Sequence, residues 1–245
     1  MGKKIRVQRR GRGTSTFRAS THKRVAPVRY PRLERMIEEA SIRGTVSNLI
    51  HEPGRGAPLA LVQLENQEKY YSVAVEGLSI GQEVAVGSSA PIDVGNVIPL
   101  GKITSGASVC NIESQPGDGG KLVRSSGGFA TVIAHTPEGT LLKFPSGKIV
   151  TKNDDCRATV GVVSGAGRPE KPFFKAGSKW HLMQAKGQKY HMTRGVAMVS
   201  ASHPYGGGRH KRAGRQTSVS RTAPPGRKVG LIAPRQTGRS KRRRR

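Results

Sequence analysis

The chain has 245 residues, 43 of them Lys or Arg and 15 Asp or Glu, for a net charge of +28. That excess is far beyond what solubility needs, so a polyanion is the first expected partner. Two cysteines, Cys110 and Cys156, exclude a disulfide-rich scaffold or a four-cysteine zinc site and fit a reducing, intracellular setting, and no apolar stretch nears the roughly 18 residues of a membrane helix.

The charge is unevenly placed. Residues 1–33 hold 11 Lys/Arg and no acid, residues 171–245 hold 20 and no acid, and residues 34–170 hold 12 against all 15 acids. A near-neutral centre therefore sits between two polycationic ends. Hydrophobic content is 34%, below the usual ~45–50%, so the centre is expected to fold and the ends are not expected to fold alone. The start, Met1-Gly2-Lys3-Lys4, has no apolar segment behind it and does not read as a secretory signal.

In chain order, the Arg-, Gly-, Ser- and Thr-rich opening shows no period of 2 or 3.6 and reads as an extended arm. Leu33, Met36, Ile37 and Ala40 share a helical face, with an extended strand nearly as well supported. A β series follows: Thr45–Ile50, a loop at Pro53–Pro58, Leu59–Leu64, a turn at Glu65–Glu68, then Tyr70–Val75 and Glu83–Val86. Ser88–Pro91 reads as a boundary. A second series covers Val97–Leu100, Ser108–Ile112, Phe129–Ala134, Thr140–Phe144, Lys148–Thr151 and Arg157–Val163, with turns at Thr136–Gly139 and Pro145–Gly147. Two such sets suit two small barrels, because each barrel closes its own edges. Lys179–Gln188 is a short helix candidate. From Ser202 onward, Gly, Pro, Arg and Ser prevail to Arg245, with too little apolar surface to offset ordering entropy, so this tail is expected to order only against a partner.

Arg and Lys spaced by Gly and Ser let an extended chain follow a crowded phosphate surface, with Arg forking two donors onto one phosphate. A solvated charge run, a nuclear address and an acidic membrane surface are the competing readings; the last lacks an amphipathic apolar face. RNA is favoured over DNA because no helix-turn-helix, zinc-finger or basic-zipper pattern is present, while small β-barrels commonly bind RNA. The 5 Phe, 5 Tyr and 1 Trp are scattered, so phosphate and shape contacts are expected to outweigh stacking. The loop Pro116–Lys121 resembles a phosphate cradle but lacks the Gly-Lys-Ser/Thr ending of a nucleotide loop; it reads as a turn approaching RNA backbone, with a purely structural turn as the alternative. Gly165-Ala166-Gly167-Arg168 reads the same way. His181, His191, His203 and His210 lie where no Cys or acid stands beside them, which disfavours a metal site and acid–base enzymology alike.

Specific strings then carry a resemblance. Arg194–Met198 followed by His203–Gly208 resembles the signature of the universal large-subunit ribosomal protein two family. Ala223–Gly230, Gln8–Thr14 with Phe17-Arg18, Pro116–Lys121, Arg157–Val163 and Lys171-Pro172-Phe173 resemble its archaeal and eukaryotic branch, in family order across nearly the whole chain. The resemblance implies a mainly β fold: an N-terminal OB-fold barrel, an SH3-like barrel, and extended basic arms at both ends. It implies domains at 1–33 (arm), 34–90 (OB fold), 91–200 (SH3-like) and 201–245 (extension). It implies a non-enzymatic constituent of the cytoplasmic large ribosomal subunit, bound to ribosomal RNA near the peptidyl transferase region and supporting a bridge to the small subunit, tRNA binding and peptide-bond formation. Neighbouring ribosomal proteins and small-subunit RNA or protein at the bridge are the further partners; no membrane, homo-oligomer or cofactor is expected, though magnesium or potassium ions can bridge to the RNA.

One departure bears on mechanism. Relatives usually carry Asn between Met198 and the His-Pro string and often Asp before the His; here Val199 and Ser202 stand there. Tyr205 replaces a second His. Without the Asp–His pair, His203 is expected to position rather than catalyse, with Gly206-Gly207-Gly208 letting backbone approach RNA. The expected RNA-binding residues are Arg9, Arg10, Arg12, Arg18, Lys23 and Arg24 in the first arm; Lys121, Arg124, Arg157, Arg168, Lys171 and Arg194 in and after the second barrel; and His203, Arg209, Arg212, Arg215, Arg227, Lys228 and Arg235 in the tail.

Overall fold

The computed structural model describes residues 2–32 and 40–237. Leu33, Met36 and Ile37, expected on a helical face, lie outside them, as does the final Arg242–Arg245 run. The chain divides into two compact units, one of Thr21–Pro172 and one of Met1–Ser20 with Phe173–Arg245.

The Thr21–Pro172 unit is β. A first set of strands comprises β1 (Ile42–Ile50), β2 (Leu59–Leu64), β3 (Lys69–Val73) and β4 (Glu83–Val86). A second comprises β5 (Val97–Pro99), β6 (Ser108–Cys110), β7 (Ala130–Thr136), β8 (Gly139–Lys143), β9 (Ile149–Lys152) and β10 (Arg157–Val160). Each strand expected from the sequence is present, most with adjusted ends. They follow one hydrogen-bonded order, β3-β2-β1-β4-β5-β10-β6-β7-β8-β9. All pairs are antiparallel except β4 with β5, a parallel contact at Val86 and Val97. The strand ladder thus links the two sets at one residue pair, and an isolated antiparallel bridge between Val75 and Val163 links them a second time.

Alternation explains the packing. In β1, Ile42, Gly44 and Val46 are buried while Arg43 and Thr45 are exposed. A bulge between Val46 and Asn48 then ends the alternation, because one extra residue rotates the strand's faces. A similar bulge lies between Val132 and Ala134 in β7. The first set closes on Val46, Val62, Leu64, Val84 and Val86, with Tyr30 and Tyr70. The second closes on Ile98, Leu100, Val109, Ile112, Val132, Leu142 and Ala158. A third cluster joins Leu59, Val73 and Val75 to Cys110, Val163 and Val28. Each buried Val, Leu or Ile contributes roughly 1.5–3 kcal/mol. Strand β10 lies between β5 and β6 and is buried along its length.

The Met1–Ser20 and Phe173–Arg245 unit is sparser. It holds α1 (Arg6–Arg10), α2 (Ala176–Ala185) and a short parallel pair, β11 (Ser218–Val219) and β12 (Leu231–Ile232). Two local features stand within the basic arms. The opening arm is not wholly extended: the Gln8 side chain accepts the Ile5 N–H at 2.8 Å and holds one helical turn over a buried Ile5. The tail also has a small seat of its own, where the Tyr205 hydroxyl donates to the Val229 carbonyl at 3.2 Å and Val229 is buried.

Candidate nucleic-acid interface

On the β unit, Arg24 and Arg168 lie over the loop after β1, and Arg124 lies within reach of the charges of Arg55 in that loop and of Arg29. Arg168 donates from Nε to Ser126 Oγ at 3.0 Å. Its guanidinium lies over Gly56, where a Cβ would stand 2.6 Å from Cζ. Arg24 lies over Gly54, with Nε 3.0 Å from the place of a Cβ. Arg124 donates to the Val28 carbonyl. Burial holds the Arg124 pKa below its ordinary value, and the charges of Arg55 and Arg29 add to that effect. Glu52 is the nearby carboxylate, fully buried and accepting the Val25 N–H at 3.0 Å. Arg24, Arg124 and Arg168 were expected at an RNA surface. Arg29 and Arg55 were missed; the Gly54-Arg55-Gly56 loop was the available signal, because glycine on both sides of an arginine lets other chains crowd it.

Arg157 is the clear correction. It was expected at the RNA surface, yet it heads a strand buried on both sides and is 5% exposed. Its Nη2 pairs with Glu113 at 3.0 Å and its Nη1 donates to the Pro31 carbonyl at 3.0 Å. Its guanidinium also lies 5.5 Å from the Tyr30 ring centroid, a cation–π distance. With its donors directed inward, Arg157 braces the fold.

The Pro116–Lys121 loop is corrected with it. Its backbone N–H groups already have anions. Gly119 donates to Glu113 Oε1 at 2.9 Å and Gly117 to Oε2 at 3.3 Å. Asp118 accepts from Ser114, Gln115 and Gly120 at 3.0–3.2 Å and pairs with Lys121 at 3.3 Å. Burial raises the Asp118 pKa, but these donors outweigh it and hold the carboxyl below its ordinary range. The structural-turn alternative therefore prevails for this loop. Lys121 itself stays 61% exposed by side chain, so its ammonium can reach a further anion.

In the other unit, the two halves of the signature string touch each other. A Cβ on Gly195 would lie 2.2 Å from His203 Cε1, so glycine is what seats the imidazole. His203 Nδ1 accepts the Tyr205 N–H at 3.1 Å, which leaves the proton of the neutral ring on Nε2. Burial, and then the Arg6 charge, hold its pKa below the ordinary histidine value. This unit contains no acid to orient or charge the ring. Gly206 differs from expectation: a Cβ there would meet the Val199 carbonyl at 2.4 Å, so its close approach is to its own chain. Gly208, at φ +113, faces open space. His203 lines a cleft of about 560 Å³ with Arg6, Arg9, Lys189 and His191.

The remaining expected cations divide simply. Arg9, Arg10, Arg12, Arg18, Lys23, Lys171, Arg194, Arg209, Arg212, Arg215, Arg227 and Arg235 are exposed, and Lys228 is half-buried beside Val229. Among the described residues, no group of three or more His, Cys, Asp or Glu could hold a metal ion. Among the described residues, most of the expected cations are dispersed and open to solvent.

Comparison with known proteins bears on this arrangement. The family model "Ribosomal Proteins L2, RNA binding N-terminal domain" matches residues 1–86, and "Ribosomal Proteins L2, C-terminal domain" matches residues 93–224. The first match contains β1–β4 and the second β5–β10. A protein of Korarchaeum cryptofilum named large ribosomal subunit protein uL2 is 50% identical over 243 residues, 99% of this chain and 98% of its own. The protein of that name from Methanococcus maripaludis strain C5 is 52% identical over 98% of this chain and 100% of its own. The one from Methanobrevibacter smithii is 48% identical over 97% and 99%.

Proposed function

Because the chain belongs to the ribosomal protein L2 family, with 50% identity to a uL2 protein along 99% of its length, we propose that it is a structural constituent of the large ribosomal subunit in the cytoplasm. It binds ribosomal RNA and works as a non-enzymatic part of the translating particle. The observation that carries this reading is the charge partition: every acid lies in 34–170, and the unit of Met1–Ser20 with Phe173–Arg245 has none. Like charges that repel one another in the free protein are neutralised only when RNA phosphates enter between them.

The finer reading follows the family. The protein lies near the peptidyl transferase region, contacts neighbouring large-subunit proteins, and supports a bridge to small-subunit RNA or protein, tRNA binding and peptide-bond formation. It acts in the particle as a single copy, away from membranes. Its functional division is an arm over 1–33, an OB-fold RNA-binding domain over 34–90, an SH3-like domain over 91–200 and a basic extension over 201–245. The Arg24, Arg124 and Arg168 cluster and Lys121 supply cations on the folded body. The exposed cations of the arm and tail carry the rest, with Lys228 and His203 as positioning contacts. Arg157 is left out of that set.

Two experiments test this reading. Deleting 201–245 is expected to weaken entry into large subunits, followed by sedimentation and crosslinking; normal entry with normal translation defeats the role given to the tail. Particles carrying His203→Ala are expected to keep the rate of peptide-bond chemistry within tenfold. A loss of 100-fold or more, the scale of general acid–base catalysis, makes His203 a catalyst instead.

A further inference from the structure

The acid-free unit contains a second cleft, of about 590 Å³, within the roughly 300–1,000 Å³ of small-molecule sites. Its walls come from α2 and the segment after it. Helix α2 ends in a hydrogen-bonded lock: the Gln188 N–H donates to the Met183 carbonyl at 2.8 Å and the Gly187 N–H to the Gln184 carbonyl at 3.0 Å. Gly187 has φ +63, the left-handed residue such a lock requires. A Cβ on Gly187 would lie 2.8 Å from the Phe17 carbonyl oxygen and 2.9 Å from the Ala19 nitrogen. Glycine therefore lets the Ser15–Phe17 turn close against the helix end and brings Phe17 into the wall. Past the lock, Lys189 and Tyr190 line the same cleft. The Tyr190 ring lies 4.2 Å from the His191 ring, and the Lys179 ammonium lies 5.6 Å from its centroid. Arg10 and Lys186 complete the rim. No acid in the unit neutralises these four cations.

We propose that this cleft holds one unstacked nucleotide of the large-subunit RNA, its base against Tyr190 and Phe17 and its phosphate on Arg10, Lys186 and Lys189. The inference rests on the RNA-binding reading and adds a defined base-stacking site to a surface otherwise made of phosphate contacts. Aromatic rings take any base by its π-face, whereas the phosphate supplies the anion that the rim lacks. Lys179 covers the ring when the cleft is empty. Its flexible four-carbon stem lets the ammonium move to the phosphate when a base takes its place.

The test uses the full chain bound to purified large-subunit RNA. Ultraviolet crosslinking, nuclease digestion and mass spectrometry are expected to find a nucleotide adduct on Tyr190 or Phe17. Tyr190→Ala is expected to weaken binding roughly 5- to 150-fold, the range for removing one base–aromatic stack, while leaving the salt slope unchanged. Tyr190→Phe is expected to bind as the parent does. Lys186→Ala with Lys189→Ala lowers the salt slope instead. The adduct needs no variant, so a Tyr190→Ala chain that misfolds does not remove the test. Parent-like binding by Tyr190→Ala together with no adduct in the cleft overturns the inference and leaves RNA binding intact. A parent chain that binds duplex DNA as well as it binds ribosomal RNA overturns both.

Discussion

Glu113 and Arg157 form a buried ion pair at 3.0 Å, their side chains 0% and 7% exposed. The carboxylate also accepts the backbone N–H groups of Arg157, Gly117 and Gly119 at 2.9–3.3 Å. The guanidinium continues to the Pro31 carbonyl and the Tyr30 ring. Tyr30 in turn hydrogen-bonds the Asn111 carbonyl at 2.7 Å and Thr159 Oγ1 at 2.6 Å. One charge pair thus fastens the 116–121 loop, strand β10 and the segment leading into β1.

Removing one partner leaves the other charged and unpaired in the interior. Glu113→Ala is expected to destabilise the fold by about 3–5 kcal/mol, which lowers Tm by roughly 6–20 °C for a chain of this size. A double change to Glu113→Gln with Arg157→Met is expected to cost less than the two single changes summed, because neither charge is then stranded. Thermal melting of the four proteins measures this; additive losses remove the pair from the account.

Gly120 is a sterically fixed position of the same loop. It has φ +85, and a Cβ would lie 2.6 Å from the Asn111 carbonyl oxygen. Gly147, at φ +79, has nothing within 4 Å. Gly147→Ala is expected to cost about 1–2 kcal/mol, the penalty of a left-handed backbone. Gly120→Ala carries that penalty plus a backbone clash, and denaturant unfolding should place it well below the Gly147 variant. Equal losses contradict the close approach.

Salt dependence separates surface from interior arginines. Arg209→Ala with Arg212→Ala removes two exposed cations. It is expected to reduce the salt slope of RNA binding by roughly 1.4–1.8, at about 0.7–0.9 per lost phosphate contact. Arg157→Met, measured below its melting temperature, should leave the slope unchanged. A slope that falls for Arg157→Met returns that residue to the interface.

The thiols give a pH signature. Burial pushes the Cys110 pKa up to about 12 from 9.0. Burial, with Glu113 adding to it, pushes Cys156 up to about 11. Between the unfolded and folded values the unfolded chain gives up protons that the folded one keeps, so folding stability falls as pH rises. The contribution is whole below about pH 9 and is lost progressively toward pH 11–12. The same burial should make both thiols slow toward a thiol reagent in the native state and fast after unfolding. Rapid native labelling at pH 8 contradicts it.

The strands and turns were legible because alternation and Gly/Pro punctuation act locally. Leu59–Leu64 and Glu83–Val86 appear with the bounds their patterns predict. The family strings were legible too, since identity is carried by residue order. The role of Arg157 was not: its position at the head of an apolar run, with a lone Glu113 after Ile112, was the sign available. Nor was the short helix at Arg6–Arg10, which depends on one Gln8–Ile5 hydrogen bond.

The sequence by itself determined the polyanion partner, the β character of the centre and the confinement of all acids to it, because charge and hydrophobic period are properties of the chain alone. The tertiary structure decided which cations remain available to RNA. Arg157 and Lys121 look alike in sequence, yet one is buried against Glu113 and the other keeps 61% of its side chain in solvent. The reason is physical: a charge is available to a partner only while the fold leaves it in solvent, and the Glu113 that holds Arg157 in the interior lies 44 residues away from it along the chain. The same holds for Gly187, Gly195 and Gly206, whose missing side chains admit Phe17, His203 and Val199 from elsewhere in the chain.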